Sequence, residues 1–223
     1  MDVWIDRCGK TFLKEPLAVV GSPGMRSVGK LVVDRLISRT SAELVAELHS
    51  THLPVVYETK PSFAAHPNLP GTGGVTVQAG VVELPKVQIY SCSFPPVIFA
   101  RGYHANFDGQ YDVAEKVLDL FNELQVKRLV VVAGYGSKEK KICCAATDKE
   151  IMREMKEKFN IGPDYKGPFY GFSGLVFGLA KLKGLEAVCL FSSAAPNPDD
   201  PEVPDEASGE AVMATLDKIL GFI

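Results

Sequence analysis

No stretch of this chain approaches the roughly 18 consecutive apolar residues that a membrane-spanning helix needs. Basic residues are not in excess either: 24 Lys and Arg against 27 Asp and Glu leave a formal charge of −3. The electrostatic footprint of a nucleic-acid binder is missing, so no nucleic-acid partner is expected. The start, Met1-Asp-Val-Trp-Ile-Asp-Arg-Cys8, lacks the basic-then-apolar layout of a signal peptide. The expectation is a cytoplasmic protein without membrane association. Cysteines are few and odd in number (Cys8, Cys92, Cys143, Cys144 and Cys189), and no two are spaced C-x-x-C, which argues against a disulfide framework or a thiolate zinc site. Cys92, Cys143, Cys144 and Cys189 stand in apolar β-type runs, where a free thiol packs as a small hydrophobe. Adjacent Cys143 and Cys144 should point to opposite faces of a strand. Histidine is also scarce. His49-x-x-His52 leads into a proline turn rather than lying on a helix, with no neighbouring ligand set to complete a metal shell, and His66 and His104 stand alone. No metal and no cofactor are expected.

What is present is a well-apolar globular chain, 46% hydrophobic and 23% charged. A chain of this size buries roughly 70% of its extended surface, enough for a core without staples. Leu17-Ala-Val-Val20 reads as a buried strand, Gly21-Ser-Pro-Gly24 turns the chain, and Val28, Leu31, Val32 and Leu36 recur at helical spacing. Strand, glycine turn and helix open an α/β domain. Strands are expected at Glu43–Leu48, with Leu53–Tyr57 as a continuation after a bend, and at Val75–Val82, Val87–Tyr90 and Val97–Ala100. Lys60–Gly74, rich in proline and glycine, is a long loop. A helix with Val113, Val117, Leu118, Phe121 and Leu124 on one face is capped by Asp108 or Asp112. Leu129–Ala133 is a buried strand, joined through the charged tip Lys138–Lys141 to Ile142–Ala146 as a hairpin. Thr147-Asp-Lys-Glu150 has capping-box spacing ahead of a helix carrying Ile151, Met155 and Phe159. Phe172, Leu175, Val176, Leu179 and Leu182 line a further helix closed by Gly184. Glu186–Phe191 is the last strand. A proline-rich acidic loop, Pro196–Glu206, precedes a terminal helix with Val212, Leu216, Ile219 and Leu220. Alternation at both ends with a β-rich middle predicts one domain over residues 1–223, a mixed sheet with helices on both faces.

Each pattern that resembles catalytic machinery departs from it at a decisive position. Gly24-x-x-x-x-Gly29-Lys30 matches the start of a phosphate loop, but the next residue, where a magnesium-binding hydroxyl belongs, is Leu31. The glycines are then geometry for a tight turn. Gly171-Phe-Ser173-Gly-Leu175 ends in Leu where the nucleophile elbow has Gly, and no clear strand precedes it; Ser173 reads instead as a helix cap. Arg101–Asp108, a polar and aromatic loop after a predicted strand, is the best small-molecule candidate. No catalytic residue is assigned. An alternative stays open: Gly21, Gly24 and Gly29 at a helix N-terminus could hold an anion through backbone amides, with the Arg101–Asp108 and Gly134–Gly136 loops completing a pocket. The chain would then be a binding protein or enzyme for a phosphorylated or nucleoside-like molecule.

Two blocks taken in order resemble a known family. Gly21-Ser-Pro-Gly24-Met-Arg-Ser-Val-Gly29 followed by Ser41–Glu47, and Tyr170–Leu175 running through Ala180–Ala187 to the acidic loop and last helix, are similar to the proteasome-assembly-chaperone family, of the second-subunit and archaeal-like type. The resemblance covers residues 16 to 221. It implies a phosphorylase-like three-layer α/β/α sandwich acting without ATP as a non-enzymatic chaperone or scaffold. It also implies a homo-oligomer with proteasome subunits as the partner. Some members dock through a C-terminal hydrophobic-Tyr-any tripeptide. Here the candidate docking tail is Gly221-Phe222-Ile223, with Gly for the hydrophobe and Phe for the tyrosine.

Overall fold

The computed structural model describes residues 2–54, 74–137, 139, 141–195, 197 and 203–222. Its centre is an eight-stranded mixed sheet in the order β1-β3-β6-β7-β2-β8-β10-β9. The strands are β1 (Val3–Arg7), β2 (Leu17–Gly21), β3 (Glu43–Ser50), β6 (Val87–Cys92), β7 (Val97–Arg101), β8 (Arg128–Gly136), β9 (Ile142–Ala146) and β10 (Glu186–Ala194). A separate two-stranded sheet pairs β4 (Thr76–Gln78) with β5 (Val81–Glu83). The inner four strands β7, β2, β8 and β10 are parallel, and the flanking pairs are antiparallel. Parallel strands must be covered on both faces, which is why β2 and β8 read as unbroken apolar runs rather than alternating ones.

Helices α1 (Val28–Thr40), α3 (Lys149–Phe159) and α5 (Glu206–Leu220) cover one face. Helices α2 (Gln110–Glu123) and α4 (Gly171–Leu182) cover the other. The result is the expected three-layer sandwich. Alternation along each strand divides its side chains between two cores. Val19, Phe99 and Val130 join the first, and Ala18, Ile98 and Val131 the second. Cys143 and Cys144 follow the same rule and enter opposite cores. Among the described residues no helix is long and apolar enough to cross a membrane.

Several local expectations are corrected. β8 and β9 do not form a hairpin, because β10 lies between them, parallel to β8 and antiparallel to β9. Val75–Val82 is not one strand but bends at Ala79-Gly80, where both residues have positive φ. The cap of α3 is Asp148, whose carboxylate accepts from Ile151 N, while Thr147 turns its hydroxyl to Ala187. Neither Asp108 nor Asp112 caps α2: Gly109 stands at that position, left-handed, and Asp112 lies in the first turn. Leu53-Pro54 ends a turn rather than a strand. Residues 55–57, most of the Lys60–Gly74 loop and part of the acidic loop lie outside the described residues.

Candidate functional site

The glycine turn after β2 is where the packing is tightest. A Cβ on Gly21 would lie 2.1 Å from Gly29 O, and one on Gly29 would lie 2.5 Å from Val132 O. Gly102 presses on Ser22, and Gly134 on the carbonyl of Met25, with a Cβ 2.5 Å and 2.4 Å away respectively. These four glycines let α1 and the β7, β2 and β8 ends meet backbone to backbone, a contact any side chain would prevent. Gly24 differs. Its φ of −174° is ordinary extended backbone, and a Cβ there would meet nothing within 4 Å. Arg26 and Ser27 follow in the left-handed region, and α1 begins at Val28 without a side-chain cap.

Lys30 is not aimed at the turn. Its Nζ sits 2.6 Å from Asp34 Oδ2, one helical turn along, and Asp34 also lies 2.6 Å from Arg101 Nε. Arg101 in turn donates to Gln88 and stacks its guanidinium 5.3 Å from the centre of the Tyr90 ring. Leu31 packs against Gly209 of α5, so the position a phosphate loop reserves for a hydroxyl is used for helix–helix contact.

Beside the turn, at the carboxyl ends of β2 and β8, is a cavity of about 560 Å³. β2 sends the chain to α1 on one face and β7 sends it to α2 on the other, so the cavity sits where a doubly wound sheet usually binds ligands. Four segments wall it: Ser22–Met25, Ala105 beyond β7, Val132–Gly136, and Asp164–Tyr170 between α3 and α4. The structure therefore brings Gly24 and Gly29 together with one residue of the Arg101–Asp108 loop and with the Gly134–Gly136 segment; Gly21 lies behind them, against Gly29.

Ser22 and Ser173 are both buried here, and their hydroxyls lie 2.8 Å apart. Ser173 is inside the first turn of α4 rather than its cap, a position held by Tyr170. Gly171 needs its positive φ there, because it abuts Ala105, whose carbonyl accepts from Phe172 N at 2.8 Å. The two hydroxyls bond each other, and either can be the donor. The wall also carries the charged Asp164 and Lys166 and the rings of Tyr135, Tyr165, Phe169 and Tyr170; Tyr165 stacks on Phe191 of β10 at 4.1 Å, Tyr135 meets Tyr165 edge-on at 5.7 Å, and Phe169 meets Phe191 at 4.9 Å. Burial, the largest cause, pushes the Tyr135 and Tyr165 phenols above their ordinary value, so both are neutral hydroxyls at pH 7. Sequence reasoning missed this cluster, which joins Tyr135, the Tyr165–Phe169 stretch and Phe191 from three separate parts of the chain.

The remaining candidates are dispersed. His49 stacks on Trp4 at 5.5 Å with Asp6 beyond it, and His52 packs under Gly109. At the far end of the chain Gly221 ends α5 with φ 71°. Phe222 donates its N–H to Asp217 O, and its ring lies under the Arg39 guanidinium at 4.4 Å. Ile223 lies outside the described residues.

The sequence and the structure were compared with known proteins. The PAC2 family profile matches residues 18–223. An uncharacterized protein of Methanocaldococcus jannaschii is 25% identical over 185 residues, which span 80% of this chain and only 65% of that relative. In fold the chain is similar to Pyrococcus furiosus PbaB, titled an archaeal proteasome activator. The identity is 24% and the TM-score 0.80, over 99% of this chain and 89% of that one. It is also similar to Pyrococcus furiosus PbaA, titled an archaeal homolog of proteasome-assembly chaperone, at 17% identity and TM-score 0.73, over 98% and 86%. With a matching profile that runs from β2 through α5, the chain belongs to the PAC2 family.

Proposed function

We propose that this chain is a cytoplasmic, ATP-independent assembly chaperone or scaffold for proteasome subunits, working as a homo-oligomer. Family membership places it among non-enzymatic proteins. One observation carries the reading furthest: the glycine turn that most resembles nucleotide machinery is committed to backbone packing, with Lys30 paired to Asp34 and Leu31 to α5. That supports a rigid platform rather than a reacting site. The tail Gly221-Phe222-Ile223 is the candidate docking segment, and Phe222 must leave Arg39 before its ring can reach a partner. Purifying the tagged chain from its native source and quantifying proteasome subunits is the direct test. Enrichment over a tagged control is expected, and none would end the proteasome reading.

A second reading has its own observation. Gly24 faces the cavity with neither its φ nor a neighbour demanding glycine, and the Ser22–Ser173 pair has one O–H left over after bonding itself. Those groups suit a small planar ligand seated against the aromatic wall. A thermal-shift panel of nucleosides, nucleotides and phosphate tests it, since a ligand at 100 times its Kd stabilises by about 2.7 kcal/mol. A flat panel removes this reading.

A further inference from the structure

β8 outruns its neighbour. β2 pairs with it only as far as Gly21, opposite Val132, and then leaves the sheet through the Ser22–Met25 turn. β8 continues to Gly136 with β10 as its partner. In a parallel ladder the N–H and C=O of successive residues point alternately to the two neighbouring strands. Ser137 N donates to Ala194 O, so the odd-numbered residues at this end of β8 face β10. Gly134 and Gly136 therefore turn their backbone groups toward the side that β2 has vacated. Gly134 is half-buried and Gly136 exposed, and among the described residues no hydrogen bond reaches either from that side. The edge borders the cavity of about 560 Å³, with Met25 packed on Gly134 from the α1 face and Phe169 on the α4 face. Unpaired strand edges are templates for an added strand, and glycine within a strand marks a close backbone approach.

We propose that the Gly134–Gly136 edge takes an extended segment of a partner's polypeptide, added as a short strand in the place that β2 gives up. Each glycine offers one N–H and one C=O, and the two sets stand roughly 6.6 Å apart, the repeat of every second residue in a strand. A polypeptide main chain presents its own donors and acceptors at that same interval, which a single flat ring does not span. The apolar groups on either side, Met25 and Phe169, would then receive the side chains that alternate above and below the added strand. The proposal rests on the chaperone reading and deepens it, since it names the part of a partner that is held. It gives the cavity to a different class of ligand from the small planar molecule of the second reading.

The test is fluorescence anisotropy with four fluorescein-labelled pentapeptide amides, Ala-Phe-Ala-Phe-Ala and its Leu, Val and Tyr counterparts at both Phe positions, against the full chain up to 500 µM. The tightest binder is then made in two N-methylated versions, one blocked at the second and fourth amides and one at the first, third and fifth. Only one set of amides faces β8, so the two versions should differ in affinity by at least about 10-fold. On the protein side, Gly136→Pro removes the edge N–H and leaves the β10 ladder intact, while Gly136→Ala keeps it. A Cβ there meets only the end of Met25, at 3.7 Å. The proline variant should bind about 10-fold more weakly than the alanine variant. No binding of any of the four peptides overturns the proposal, as do methylated versions that bind alike or equal affinities of the two Gly136 variants. The methylated pair is read on the wild-type chain, so it decides even where the proline variant does not fold. Proteasome subunits that co-purify when no peptide binds leave the chaperone reading standing; their absence as well removes both. A nucleoside or phosphate that stabilises the chain while no peptide binds gives the cavity to a small ligand and overturns the proposal.

Discussion

Replacing Gly29 by alanine separates the two meanings of the glycine turn. Alanine is favoured over glycine inside a helix by about 1 kcal/mol, so propensity alone predicts a gain. Against that, the new Cβ would sit 2.5 Å from Val132 O and 3.0 Å from Ser22 O, both backbone atoms that no rotamer change can move aside. Overpacking of this kind costs about 3 kcal/mol at the upper end of its range. The net loss is therefore about 2 kcal/mol, and in a domain of this size about 4–8 °C in Tm. Gly24→Ala is the internal control: with extended φ and an empty surround it should melt within about 1 °C of the wild type. Calorimetry of the three proteins at neutral pH reads both differences. If Gly29→Ala melts with the wild type, or Gly24→Ala falls as far as Gly29→Ala, then backbone packing is not what the turn is for.

Arg39→Ala should free the Phe222 ring and fray the end of α5, since it removes both the cation–π contact and the paired hydrogen bonds to Asp217. The cost is about 1 kcal/mol, with faster amide exchange at Phe222 as the local signature. Asp205 caps α5: burial is the largest influence on its carboxyl and raises its pKa, but the hydrogen bonds from Ser208 and Ala195 with the charge of Arg26 outweigh it and hold it below the ordinary value. Because the folded pKa is depressed, the cap stabilises above the unfolded pKa and is lost as pH falls through the folded one. Urea melts should show Asp205→Ala about 1 kcal/mol less stable than wild type at pH 7, and the gap should close as the solution is acidified below pH 4. Cys144 is pushed up to about 11 by burial, and Cys189 well above its ordinary value, while Cys8 is exposed. A thiol reagent at pH 8 should modify Cys8 alone in the folded chain and all the thiols in denaturant; rapid labelling of any other would contradict the packed cores.

The parallel centre of the fold was legible because full burial writes itself as continuous apolar runs: Leu17–Val20 and Leu129–Ala133 have no other explanation. The helices were legible from periodicity, down to Ile151 and Met155 on the buried side of α3, except that Leu182, counted on the apolar face of α4, is exposed. β1 was not, since Val3-Trp-Ile-Asp-Arg7 is an edge strand with one charged end and no alternation strong enough to declare it. Pairing was less legible than existence. Ile142–Ala146 was seen as a strand, but its partner was assigned by nearness in sequence, whereas the sheet assigns it by register with β10. Caps slipped by a residue or two where several polar side chains competed, as Thr147 and Asp148 do. In the site, the cavity is lined by the turn after β2, by Ala105 beyond β7 and by the end of β8, segments that the anion-binding alternative named. The aromatic cluster was invisible because its rings come from three separate segments: Tyr135 in β8, Tyr165 and Phe169 ahead of α4, and Phe191 in β10.

The insertion of β10 between β8 and β9 also sets an order of events. Every residue of β9 must wait for a partner roughly 40–50 positions further along, Ala146 for Val188 and Ile142 for Ser192, and such distant pairings close slowly. While a ribosome has emitted only about the first four fifths of the chain, β9 has no native strand to pair with. A nascent chain halted before residue 186 would carry an unpaired apolar strand.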